Sequence, residues 1–139
     1  MRHGSRWTAA LLATACLALA GCRSELAVAT EESEAATVES IAGSEVKRVT
    51  LTQQAADRLG IKTVAARAGS VPYAAVIYDT EGASWVYTVP QPLSFVREKV
   101  VVATVGATDA TLWAGPPAGT LVVVTGVPEL FGAELGIGS

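Results

Sequence analysis

The chain has 139 residues, half of them hydrophobic, with 10 Lys and Arg against 13 Asp and Glu and a formal net charge of −3. That length suits one modest domain, and an acidic balance offers no basic field for nucleic acid. The only histidine is His3 and the only cysteines are Cys16 and Cys22, so metal, disulfide and histidine chemistry depend on what becomes of the first 22 residues.

Those residues, MRHGSRWTAALLATACLALAGC, read as a secretory signal. Arg2 and Arg6 form a basic start, and Trp7 to Ala20 form an apolar run too short for a comfortable membrane span. The run ends in Leu19-Ala20-Gly21-Cys22, which resembles the lipobox of bacterial lipoproteins, where small residues precede a cysteine that is lipidated and becomes the new N-terminus. The expectation is a signal peptide over 1–21 and lipidation at Cys22; the alternative is an ordinary cleaved signal with a chance cysteine. Cleavage would remove His3 and Cys16. The remaining chain would then have no histidine for acid–base or serine–histidine catalysis, no intramolecular disulfide and no evident zinc or copper ligand set. Neither an enzyme nor a cofactor is expected.

Residues 22–45 are rich in Ala, Glu, Ser and Thr, and Glu25, Glu31, Glu32, Glu34, Glu39 and Glu45 carry much of the chain's acidity. With no aromatic residue and no apolar stripe, such a segment cannot offset its ordering entropy. It is expected to be an acidic flexible tether, with short helical pieces as the alternative.

A domain is expected over 46–139. Val46, Val49 and Leu51 interleave with polar residues, predicting a strand. Thr52 can then cap a short helix over Gln53–Leu59, closed by Gly60 in a left-handed conformation, with Ala55, Ala56 and Leu59 on its buried face. Ile61 to Ala66 predicts a second strand. After Arg67–Ser70, the stretch VPYAAVIYD predicts a strand, Asp79-Thr80-Glu81-Gly82 a turn, and SWVYTV an aromatic return strand. Pro90-Gln91-Pro92 should break the ladder before a long strand from Leu93 to Val105. On that strand Phe95, Arg97 and Lys99 share one face, and the change to apolar residues near Val100 predicts an exposed first half, a buried second half and a bend or bulge between them. Ala110–Trp113 and Leu121–Val124 predict the last strands, separated by a turn at Gly115–Gly119, and Val127–Ser139, with three glycines and no clear period, predicts a partly frayed tail. The predicted class is mostly β, a small antiparallel barrel or roll with one short α-helix.

The order of these elements is similar to the C-terminal end of the periplasmic adaptor, or membrane-fusion, subunits of RND-type and related HlyD-family efflux systems. The features that carry the resemblance are VPYAAVIYD, SWVYTV, FVREKVVVATVG and a closing G-x-x-x-G turn before LVVVTGVPEL. Upstream, VTLTQQAADRLGIKTVAA resembles the start of the mature adaptor chain, so the likeness spans about residues 48–135. In the family a long insertion, comprising a lipoyl-like domain, an α-helical hairpin and a β-barrel, separates the two regions. Here a few residues after Arg67 connect them. The resemblance implies that the surviving ends form a membrane-proximal domain, without the parts that bridge an envelope. Pro116 and Thr120 stand where the family tends to have leucine and aspartate.

The resemblance implies an extracytoplasmic lipoprotein, anchored to the cell membrane, that docks on or assists a membrane transport system, with a transporter subunit as its partner. Arg97 and Lys99 are the candidate partner contacts; the bland reading makes Arg97, Glu98 and Lys99 a solvated strand face. One competing reading is a stand-alone lipoprotein whose Trp85, Tyr87 and Trp113 line a small-ligand pocket, against the simpler expectation that these aromatics fill a core. Another is a vestigial adaptor fragment. Asp79 and Glu81, a close carboxylate pair, are expected to serve turn geometry rather than catalysis or calcium binding.

Overall fold

The computed structural model describes residues 34–137. The expected signal peptide, Cys22 and the start of the acidic segment lie outside the described residues. The expected mostly β, antiparallel architecture is what the structure shows, among the described residues as one sheet of nine strands; the sheet is not closed into a barrel, and the described residues hold two α-helices where one was expected.

The acidic segment, expected to be a tether to residue 45, supplies the first strand. β1 (Ala36–Ser40) pairs antiparallel with β2 (Lys47–Leu51), from Ala36 against Leu51 to Ser40 against Lys47. Composition conceals this strand because it is an edge element. It is held by a backbone ladder rather than an apolar stripe, and Thr37 to Ser40 are all exposed.

Thr52 opens α1 (Gln53–Leu59) as expected: its hydroxyl accepts from the Ala55 N–H at 3.1 Å, and Gly60 closes the helix at φ 64°. Ala55 and Ala56 are buried, with Leu59 packed at the margin. β3 (Lys62–Ala65) then runs beside β9 (Leu121–Thr125). Arg67 and Ser70 close a tight turn, with Gly69 at φ 65°, into β4 (Ser70–Pro72).

The single strand expected over VPYAAVIYD is broken. β4 pairs with β8 (Asp109–Ala114), whereas β5 (Ile77–Tyr78) pairs with β6 (Ser84–Gln91), so the chain must step from one part of the sheet to another. A 3₁₀ turn at Tyr73–Ala75 makes the step, with the small Ala75 side chain fully buried beneath it. The turn at Asp79 forms as expected: Asp79 Oδ1 accepts from the Glu81 and Ala83 N–H groups at 2.9 and 2.8 Å.

The ladder breaks at Pro90 as expected: β6 runs on to Gln91, just before Pro92, but its pairing with β7 (Ser94–Val105) shifts register between Thr88 and Gln91 before Gln91 meets Ser94. The corner carries Pro92 and then Leu93 at φ 61°, the backbone pattern of a type II turn with leucine at the position glycine favours. The Leu51 N–H donates to the Leu93 carbonyl at 2.9 Å and pins the corner to β2. The tail is not frayed through its length: α2 (Val127–Leu135) starts at Gly126, at φ 86°, and buries Val127, Leu130 and Glu134.

Alternate residues of β6, β7 and β9 feed two cores on opposite faces of the sheet. One face carries Tyr87, Phe95 and Val123, packed beneath α1 and α2 with Val49, Leu51, Val127 and Leu130. The other carries Val86, Val100 and Val122, packed against Val71, Ala75, Ala110 and Leu112 of the strands that fold back over it. The burial trend expected along β7 is reversed. Ser94 and Phe95 are buried because β2 and the helices cover that end, whereas Val101 and Val105 near the far end are about half exposed.

Candidate functional site

The helix-bearing face of β6 and β7 holds the two residues expected to contact a partner. Tyr87 stands opposite Arg97 and Trp85 opposite Lys99 in the antiparallel register, so all four side chains share that face. α2 covers the inner half. There Glu134, with its side chain only 2% exposed, pairs with the Arg97 guanidinium at 3.2 Å, accepts from the Tyr87 hydroxyl at 2.5 Å, and accepts from the Lys47 backbone N–H at 3.2 Å. Arg97 also lies over the Trp85 ring, 4.4 Å from its centre, and 5.2 Å from that of Phe131. Burial, followed by the Glu134 carboxylate, holds the Tyr87 phenol well above its ordinary pKa.

Arg97 is therefore a largely covered structural cation. Its side chain is 11% exposed and committed to Glu134, which corrects the expectation of a solvated arginine at this position. Composition could not show this, because the partner carboxylate belongs to the tail that was expected to fray. The spacing Val127, Leu130, Glu134 was the available signal: it places all three on one stripe of a helix that begins after glycine and carries Pro128 in its first turn. Lys99, by contrast, is exposed, with its ammonium 5.8 Å from the Trp85 ring centre.

Beyond α2 the same face is uncovered. Val100 and Leu112 point into the second core, so Lys99, Val101 and Trp113 point away from it. In the pairing of β7 with β8, Val101 stands opposite Ala114 and Val102 opposite Leu112, leaving Trp113 as the extra residue of a bulge. This is the irregularity expected near Val100, and its effect is to turn the indole outward. Trp113 is 81% exposed, and Val101 beside it is 48% exposed. An exposed tryptophan is informative because this side chain is largely buried on average.

The three aromatics do not converge on a pocket. Tyr87 fills the helix-side core, Trp85 donates its indole N–H to Asp79 Oδ2 at 2.9 Å, and Trp113 faces outward. That indole, followed by the Ala83 and Glu81 N–H groups, keeps the Asp79 carboxyl below its usual pKa, so the expected turn role of this residue has a structural basis. A shallow depression of about 140 Å³ lies elsewhere, lined by Val64, Ala65, Arg67, Ser70, Pro72 and Asp109. It is well under the roughly 300 Å³ at which small-ligand sites begin. Among the described residues no group of three or more His, Cys, Asp or Glu could hold a metal ion, and no helix is long and apolar enough to cross a membrane. No protein-family profile, curated protein or solved structure matches the chain.

Proposed function

We propose that this protein is a lipid-anchored envelope lipoprotein whose β domain, similar to the membrane-proximal end of an efflux adaptor, docks on or assists a membrane transport system. The observation that carries the reading is how the two ends of the domain interlock. β2 and β3, from the region resembling an adaptor's start, pair with β7 and β9, from the region resembling its end. Only the tight Arg67–Ser70 turn joins the two regions, at the place where the family carries its insertion. A domain closed in this way keeps its cores when the bridging parts are absent, and what remains serves contact at the membrane. Lys99, exposed beside Trp85, is the cation offered to a protein partner.

Crosslinking and co-purification from native membranes test the reading. A permease or pump component should be enriched with the lipoprotein, and Lys99→Glu should weaken that enrichment while leaving the thermal melt unchanged, because the side chain is exposed. Recovery of the lipoprotein alone would count against docking.

A further inference from the structure

We infer that the bulged strand pair of β7 and β8 lies on the bilayer surface itself, with Trp113 and Val101 in the interfacial layer. The inference rests on the lipid anchoring at Cys22 proposed above, but not on the docking of a transporter. Three observations favour lipid as the occupant of this face.

The first is its chemistry. A tryptophan 81% exposed and a valine 48% exposed place an amphipathic ring and an aliphatic contact side by side on the face turned away from the second core. Indole rings favour the boundary between headgroups and acyl chains.

The second is local geometry. The bulge leaves Trp113 without a paired residue on β7, and its side chain is exposed there. An exposed indole at an unpaired strand position suits insertion into a deformable surface. The small-ligand reading would need a concave site here, and the depression beside Arg67 and Asp109 involves none of these residues.

The third is reach. The chain enters the fold at Ala36, opposite Leu51 and close to the Ser94 end of β7. From there Val101 is about 25 Å away, combining roughly 23 Å along the strand with about 10 Å across two strand spacings. Residues 23–35 span at most about 45 Å when extended. An anchor at Cys22 thus holds the domain close enough for Trp113 to meet the same bilayer, and it raises the effective concentration of the surface at this face.

The test uses the full lipidated protein reconstituted through its anchor into vesicles of phosphatidylcholine and phosphatidylglycerol. Trp7 would leave with the signal peptide, so Trp85 and Trp113 are the two fluorophores, and subtracting the spectrum of Trp113→Phe isolates Trp113. Because Trp113 is exposed, that variant should melt like the wild type. At interfacial depth, Trp113 emission should shift to the blue and fall roughly twofold when the acyl chains are brominated near the headgroup. Its quenching by aqueous iodide should fall in parallel.

Protein that floats with the vesicles while Trp113 stays open to iodide and untouched by brominated lipid overturns the inference and leaves the anchoring intact. Shielding of Trp113 only in native membranes, and not in pure lipid, also overturns it by assigning the face to a protein. Failure of the wild type to float removes the anchoring and this inference together. Lipid quenching without any co-purified transporter supports the inference and counts against docking alone.

Discussion

At the scale of single residues, Glu134 decides how the last helix is held. Its carboxylate meets a guanidinium, a phenol and a backbone N–H in a site closed to water, so removing it leaves Arg97 charged and Tyr87 unpaired. Breaking one side of a buried ion pair typically costs about 3–5 kcal/mol, whereas replacing both sides with apolar residues is often neutral. Glu134→Ala should therefore lower the denaturant midpoint sharply, and pairing Arg97→Met with Glu134→Leu should recover much of the loss. Failure of the double variant to recover would show that the charges contribute more than their desolvation costs. Tyr87 adds a pH signature. Its phenol keeps its proton more tightly in the fold than in the unfolded chain, whose tyrosines titrate near pH 10, so the stability it contributes is complete below that pH and declines as pH rises beyond it. The alkaline decline above about pH 10 should be shallower in Tyr87→Phe than in the wild type, as read by urea melts across that range. Arg97 changes its meaning in this setting: a charge reversal there would report on folding before it reported on any partner.

At the scale of elements, the parts readable from sequence are those whose determinants are local. Thr52 and Gly60 mark the two ends of α1, and Asp79 to Gly82 mark a turn, because each conformation is set by side chains a few residues away. Elements governed by distant partners were not legible. β1 has no stripe of its own and exists because β2 offers an edge, and the 3₁₀ turn at Tyr73–Ala75 exists because β4 and β5 have different neighbours. The candidate surface divides in the same way. Lys99 and the bulge near Val100 were accessible to pattern reading, whereas the burial of Arg97 required knowledge of α2, and the outward turn of Trp113 required the strand register. α2 itself depends on Gly126, whose φ of 86° redirects the chain from β9 and whose missing side chain admits Ile61. Gly126→Ala would impose a left-handed conformation costing about 1–2 kcal/mol, with displacement of Ile61 added to it. For a domain near a hundred residues, each kcal/mol lowers the melting temperature by roughly 4–8 °C. An unchanged melt in Gly126→Ala would mean that α2 contributes little to the fold.

At the scale of the whole molecule, the two cores cannot be treated as two stability units. Residues of single strands belong to opposite cores: adjacent Val86 and Tyr87 on β6 and Val122 and Val123 on β9, and Phe95 and Val100 along β7. Releasing one core loosens the backbone ladders that carry the other, because the same peptide groups bond both faces into the sheet. The helices fold over one face and the returning strands over the other, but neither cover has a separate sheet to remain on once β6, β7 and β9 part. Unfolding should accordingly be a single transition, in which tryptophan fluorescence and far-ultraviolet dichroism coincide. Leu130→Ala on the helix side should cost about 2–5 kcal/mol as a fully buried leucine, and Val122→Ala on the other side should also destabilise through the cavity it leaves. Both variants should shift that one transition as a whole, at every probe. If Leu130→Ala instead split the melt, with helix signal lost while the Trp85 environment survived to higher temperature, α1 and α2 would form a detachable layer and the strands would not couple the faces. The exposed surface at Trp113 belongs to neither core. Its substitutions should leave this transition in place, which separates a role in contact from a role in folding.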